Sequence, residues 1–351
     1  MALMIASTFT MAQNNALSNA TSKPFVEKEM CDKVYDPADF PAPRKGGNTI
    51  GEALVIPSLP YLTSGTTSGY TNNYDEACPW SSTSPDVVYA FTPTEDLMVH
   101  IDLCGSSYDT KLYVYENFHT PGYPFACNDD YYGFGHPCGS WVSAISGLHF
   151  TAGNTYYMVI DGFGPASGAY VLDITGAPPV QCYFGAVVEE EPCGARLNDG
   201  CNMLPGIPVF EQVNYGDIFC GKTCTYGSGS RDTDWFELVL TKPKPFVLYA
   251  EADALMYFIL LGPNDCSSMV ALQQIKAKPG NPGEMDLGIL PAGTYWFWAG
   301  LPVNSSYPED VNYTMFFGKK QLPVIPVSNW ALYLGILLMV TLVVIRFRRL
   351  V

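Results

Sequence analysis

The residues best suited to chemistry are four oxygen donors, Asp109, Asn128, Asp129 and Asp130. A calcium ion takes about six to eight oxygens, and carboxylates and amides gathered on turns supply them. Asp161, at the end of a predicted strand, is a fifth candidate ligand. The same Asn-Asp-Asp segment also reads as a turn whose side chains bond their own backbone. Tyr131, Tyr132 and Phe134 follow directly, between Cys127 and Cys138. They read as a contact surface for an extracellular protein or polysaccharide ligand, or as a small satellite core folded back on the loop. Tyr295-Trp296-Phe297-Trp298 places rings on both faces of one strand. That is the pattern of a central strand buried on both sides, although sugar-binding modules also present such rings. Arg231-Asp232-Thr233-Asp234 reads as an ion pair or as the turn that starts a strand.

Catalytic motifs are missing. Histidine occurs four times, at 100, 119, 136 and 149, and never as His-Glu-x-x-His. There is no Gly-x-Ser-x-Gly elbow and no Gly-x-x-x-x-Gly-Lys-Ser/Thr loop. A glycosidase needs only two carboxyl groups about 5–9.5 Å apart, a spacing that belongs to the fold rather than to the sequence. The expectation is therefore a non-catalytic protein. A carbohydrate-binding surface module is the alternative, and a carboxylate-dependent hydrolase a more distant one.

The elements that must position these residues are strands. Val99, Ile101 and Leu103 alternate with His100 and Asp102, the period of a half-buried strand. Tyr170, Leu172 and Ile174 alternate in the same way. Residues 87–91, 111–115 and 156–161 are further strands. The order then repeats. Residues 235–240 match 88–93, and 246–251 match 99–104. Leu290-Pro291-Ala292-Gly293-Thr294-Tyr295 echoes the approach to Tyr156, and Asn312-Tyr313-Thr314-Met315 echoes Ala169-Tyr170-Val171-Leu172. A repeat this long is a domain duplication. Short strands, Gly/Pro turns and no helical periodicity before residue 325 predict an all-β chain of two antiparallel, jelly-roll-like β-sandwich domains. The expected domains are 46–176 and 189–318, joined by a linker at 177–188.

Composition agrees. The chain has 351 residues, with 48% hydrophobic and 15% charged, enough for two domains of about 130–150 residues each. Formal net charge is −16, which excludes nucleic acid as a partner, since phosphate contacts need Lys and Arg. The eleven cysteines lack zinc-finger spacing. Proximity in sequence favours bridges 127–138, 193–201 and 78–104. Cys220 pairs with Cys224, or either reaches Cys266. The odd count leaves one thiol over, and Cys31 is the candidate.

Both ends read as addresses. Residues 1–12 form a short apolar signal peptide, with Thr10-Met11-Ala12 as the cleavage site. A Pro-rich linker fills 13–45. At the other end a linker at 319–329 precedes a transmembrane helix at 330–345, opened by Trp330, and a basic tail at 346–351 with Arg346, Arg348 and Arg349. At about 1.5 Å per residue the run is just long enough to cross a bilayer core. The arginines place the C-terminus in the cytoplasm. The expected location is the cell envelope or surface, with single-pass anchoring that is at least transient.

The first half resembles the bacterial pre-peptidase C-terminal domain. The resemblance is carried by Gly65-Thr66-Thr67, Asp86-Val87-Val88-Tyr89-Ala90-Phe91, Tyr108-Asp109-Thr110-Lys111-Leu112-Tyr113-Val114-Tyr115, Cys127-Asn128-Asp129-Asp130 and the segment from Ala152-Gly153 to Asp161-Gly162. The second half looks like a divergent copy, carried by Arg231-Asp232-Thr233-Asp234-Trp235-Phe236 and by Leu290 to Trp296, without the Asn-Asp-Asp element. This resemblance implies β-sandwiches that serve as non-catalytic appendages of exported proteins. The tail resembles C-terminal sorting signals of the PEP and IPTL type. Ile325, Pro326 and Trp330 match, whereas Val327-Ser328 departs from the common Thr-Leu. That resemblance implies a sorting or processing enzyme as a partner.

Overall fold

The computed structural model describes residues 45–318, apart from 79, 134, 190, 227–229 and 303–309. The signal peptide, the linker before Lys45, Cys31, Phe134, and the sorting motif, helix and arginines beyond 318 lie outside the described residues. Among the described residues no helix is long and apolar enough to cross a membrane.

The described chain is all-β, with two short 3₁₀ turns and no α-helix. In the first half the strands are β1 (Leu54–Val55), β2 (Tyr61–Thr66), β3 (Val87–Phe91), β4 (Leu97–Asp102), β5 (Thr110–Glu116), β6 (Ala126–Asn128), β7 (Ala144–Phe150), β8 (Tyr156–Gly162) and β9 (Ala169–Ala177). They form one sheet in the order β1-β3-β8-β5-β6 and a second in the order β2-β9-β4-β7. The second half continues with β10 (Val187–Val188), β11 (Glu211–Val213), β12 (Ile218–Thr223), β13 (Thr225–Tyr226), β14 (Ser230–Arg231) and β15 (Thr233–Leu240). It ends with β16 (Lys244–Ala252), β17 (Met256–Gly262), β18 (Val270–Ala277), β19 (Gly283–Leu290), β20 (Gly293–Gly300) and β21 (Val311–Gly318). Its main sheets run β11-β15-β20-β17-β18 and β10-β12-β21-β16-β19. Apart from the added β10 and the small β13–β14 hairpin, this is the same topology written twice.

The duplication reaches single residues. Gly65 faces Tyr170 across β2 and β9, and Gly221 faces Tyr313 across β12 and β21. The hydroxyl end of each tyrosine covers its glycine. A Cβ on Gly65 would sit 2.3 Å from the Tyr170 hydroxyl, and one on Gly221 2.2 Å from that of Tyr313. Only glycine permits this approach.

Each half buries a core between its two sheets. In the first, Val87, Tyr89, Leu112, Val114, Met158 and Ile160 of one sheet meet Val99, Ile101, Tyr170, Leu172 and Ile174 of the other. In the second, Phe236, Phe258 and Phe297 meet Leu248, Met285, Met315 and Phe317. The period-two pattern of the strands thus aims their apolar side chains inward. Trp296 and Trp298 leave β20 on the opposite face and bury against Trp235 and Phe210. The aromatic strand is therefore core on both faces, with only Tyr295 half-buried.

Three expectations need correction. Strand β4 is not half-buried, because His100 and Asp102 are buried along with Val99 and Ile101. The second half covers that face. The Lys278 ammonium lies 3.8 Å from Asp173, the Leu255 amide donates to Ser146 Oγ at 2.8 Å, and Gly280 abuts the Gly176 backbone. Next, the sheets are not wholly antiparallel: β1–β3, β10–β12 and β11–β15 pair in parallel at sheet edges. Finally, the disulfides differ from every preferred pairing. They join Cys78–Cys127, Cys104–Cys138, Cys182–Cys220, Cys193–Cys224 and Cys201–Cys266. Sequence proximity failed because neighbours in these sheets are distant in the chain.

Peptide mapping without reduction should recover these five pairs and no 127–138 bridge. Replacing Cys104 and Cys138 together by Ala should cost about 2–4 kcal/mol in denaturant unfolding, since that bridge closes a long loop.

Candidate metal centre

Asp109 is the last residue before β5, and Asp129 and Asp130 follow the end of β6. These strands pair antiparallel with Leu112 opposite Asn128, so the end of β6 returns beside the start of β5. The two acidic segments become neighbours, and carboxylate oxygens of Asp109, Asp129 and Asp130 all lie within 4.8 Å of one another. Ser143, one residue before β7, locks the junction. Its amide donates to Thr110 Oγ1 at 2.8 Å. Its hydroxyl lies 2.5 Å from the Thr110 carbonyl, 3.2 Å from that of Asn128 and within bonding distance of that of Asp129. The disulfide at Cys127 ties the end of β6 to the 78 loop, and Cys104–Cys138 ties down the loop that follows.

Asp129 is only 4% exposed, and neither of its carboxylate oxygens has a hydrogen-bond partner. Asp109 Oδ1 is likewise buried without one. A turn sequence satisfied by its own backbone would have bonded these atoms. Burial, reinforced by the Asp130 charge, pushes the Asp129 carboxyl up to about 7 and that of Asp109 up to about 6. Burial also raises Asp130, which is exposed. The cluster has the oxygen chemistry that a hard divalent cation requires.

The other candidate ligands are placed differently. The Asn128 amide oxygen accepts the Ala144 amide at 3.2 Å, so this side chain braces β7. Asp161 is fully buried and already bonded. It accepts from the Tyr113 hydroxyl at 2.6 Å, the Ser82 hydroxyl at 3.0 Å and the Gly162 amide at 2.7 Å. It stands opposite Lys111 in the β5–β8 ladder. The wholly buried Lys111 ammonium donates to the Glu76 carbonyl at 2.8 Å and to that of Trp80.

Tyr131 and Tyr132 are half-buried. Tyr132 donates to Asp102 at 2.8 Å, stacks on His136 with centroids 4.6 Å apart, and packs on the first core. Two part-exposed aromatic residues that the sequence reading passed over are tied to this junction through their backbones. Trp141 accepts the Thr110 amide through its carbonyl at 3.2 Å, and the Phe163 amide donates to the Asp109 carbonyl at 3.0 Å.

A second acidic group sits in the other half, around the Asp232 and Asp234 that the sequence reading took for an ion pair or the turn that starts a strand. Asp234 is buried and accepts the Tyr313 hydroxyl at 2.6 Å. Burial first, then the Glu189 charge, pushes its carboxyl well up. Burial together with Glu191, Glu189 and Asp199 pushes Asp232 up to about 7. The signal was visible as the acidic run at Glu189-Glu190-Glu191. Arg231 does not neutralise it. Its guanidinium lies over the Trp298 ring, 5.2 Å from the centroid, and donates to the Leu301 carbonyl.

No family model and no curated protein matches the chain. Among solved structures, the pre-peptidase C-terminal domain of a Bacillus anthracis collagenase is 16% identical. It matches 30% of this chain and 90% of its own, with a TM-score of 0.22. The tandem N-terminal CBM22 domains of a Paenibacillus barcinonensis protein are 12% identical. They match 74% of this chain and 92% of their own, with a TM-score of 0.21. Likenesses this loose assign neither family nor ligand.

Asp232 holds its proton more tightly folded than unfolded, so between about 3.8 and about 7 the native state carries the extra proton and its stability falls as pH rises. In chelator, Asp232→Asn should flatten this slope and gain on the order of 2 kcal/mol at pH 8. Urea unfolding across that window reads the slope, and an unchanged one would contradict burial as the cause.

Proposed function

We propose that the chain is a non-catalytic, exported surface protein. It displays two tandem β-sandwich modules, residues 46–176 and 189–318, and the first holds Ca²⁺ between Asp109, Asp129 and Asp130. The observation that carries the metal reading is the buried Asp129 carboxylate, which has no partner on either oxygen. A charge left so in a protein interior is costly, which is why burial drives this carboxyl up to about 7; a bound cation would relieve the same cost and bring the value back down. One oxygen from each of the three carboxylates lies within 4.8 Å of the others, close enough for all three to reach a single ion.

Five disulfides support an oxidising destination. The signal peptide would direct export, and the segment from Ile325 to Arg349 would anchor the chain or hand it to a sorting enzyme. The role at the envelope is adhesion or ligand binding.

At a hundredfold excess over Kd, Ca²⁺ should raise the melting temperature by about 5–10 °C, and chelator should reverse it. Asp129→Ala with Asp130→Ala should abolish the shift. A protein that melts identically with and without Ca²⁺, or a shift that survives the double substitution, would remove the metal from the account.

A further inference from the structure

Of the four histidines only His100 is buried. Val99 and Ile101 of β4 face the first core, so His100 leaves the outer face of the sheet β2-β9-β4-β7, which the second half covers. Opposite it in β9 stands Thr175. His100 Nδ1 and Thr175 Oγ1 are both buried without a hydrogen-bond partner. His100 Nε2 lies 3.5 Å from Asp102 Oδ2, an oxygen that already accepts the Tyr132 hydroxyl at 2.8 Å. The charged groups facing the ring are Asp102 of its own strand, Asp173 of β9 and Lys278 from the turn after β18. β7 adds the neutral Ser146 and Gly147, where its register with β4 shifts. Burial holds the imidazole below its ordinary value and outweighs the pull of Asp102.

The cover over His100 is made of polar and backbone contacts. The Lys278 ammonium approaches Asp173, the Leu255 amide donates to Ser146 Oγ across the interface at 2.8 Å, and Gly280 abuts Gly176. Neither hydrophobic core takes a residue from the other half. Each half therefore keeps its own core when the two part, the ordinary condition for hinged domains. The linker after β9 belongs to the second half, since Cys182 is bridged to Cys220 and the Val180 amide donates to Asp253 at 2.6 Å. Asp253 also faces the first half, near His149, and burial raises its carboxyl. Its hydrogen bonds come from Val180 and Asn312, on its own side of the interface, and stay with it on opening. His100 is the group whose surroundings change.

We propose that the interface between the two halves is a proton-sensitive latch, in which His100 stays neutral while the halves are closed and takes a proton when they part, so that mild acid opens the chain. Proton linkage sets the direction. The closed form holds the imidazole below its ordinary value, which is about 6.5 in water, and opening returns it there. Closure is therefore at full strength above about pH 6.5 and is lost as pH falls through the buried value. Asp102 remains beside the ring in the open form and favours the imidazolium once water reaches it. Histidine is the side chain whose charge changes in that range. The latch does not depend on the cation reading above.

The test is hydrogen–deuterium exchange of the full chain at about pH 7.5 and about pH 5, corrected for the intrinsic pH dependence of exchange, with the same excess of Ca²⁺ in both buffers. The reporters are the Leu255 amide, whose bond crosses the interface, and the turn at 278–282. Strand β20, in the second core, is the internal control. In the wild type the reporters should exchange at least about threefold faster at the lower pH, with β20 unchanged. His100→Gln, whose side chain cannot take the proton, should show no such difference. Should that variant misfold, NMR titration of the His100 ring in the wild type needs no substitution, and its midpoint should lie below about 6.5. Reporters that exchange alike at both pH values would overturn the latch. So would a difference that persists in folded His100→Gln, or a midpoint at or above about 6.5. Acceleration of β20 together with the reporters would mean global unfolding rather than parting of the halves, and would overturn it as well.

Discussion

Three carboxylates within 4.8 Å of one another, one of them buried and unbonded, repel each other and lack the water that would solvate them. Left alone, this arrangement destabilises the fold. The first half of the chain is organised to hold it nonetheless. The β5–β6 register brings the two acidic segments together, the Ser143 hydroxyl sits among three backbone carbonyls at the junction and donates to them in turn, and two disulfides close the loops on either side. A contrasting acidic loop lies in the second half. The Asp265 carboxylate accepts the Ser267 amide at 3.1 Å and the Ser267 and Ser268 hydroxyls at 2.8–3.0 Å. Those bonds hold it below the usual carboxylate range. Asp265 is what a turn satisfied by its own chemistry looks like, and Asp129 lacks every one of those contacts.

The two halves share their topology and the glycine–tyrosine contacts, yet their polar interiors have diverged. Opposite one another in β5 and β8 stand Lys111 and Asp161, whereas the corresponding pair in β17 and β20 is Tyr257 and Gly300. The Tyr170 hydroxyl bonds the Tyr89 hydroxyl and the Lys45 carbonyl, while Tyr313 donates to the buried Asp234. A common frame of alternating apolar residues leaves the remaining positions free to build different sites.

Much of this was legible in the sequence because strand periodicity is local. Alternation at 97–103 and 170–174 marked the inward faces, and the four-ring run at 295–298 marked a strand covered on both sides. Asp109, Asp129 and Asp130 were recognisable by residue type. What failed was whatever depends on strand order. With spatial order β1-β3-β8-β5-β6, proximity in sequence misassigned the disulfides, and a position at a strand end drew Asp161 toward a cluster it does not join. The burial of His100 and Asp102 was hidden because their cover, including Lys278, comes from the other half of the chain. Trp141 escaped notice because a positive φ leaves no mark on composition.

The central claim, a cation held by Asp109, Asp129 and Asp130, is tested most directly with Tb³⁺ in place of Ca²⁺. Excitation of the protein's tyrosines and tryptophans should give saturable terbium emission that Ca²⁺ displaces and that Asp129→Asn abolishes in a folded protein. Emission that is absent, that does not saturate, or that persists unchanged in Asp129→Asn would contradict the account.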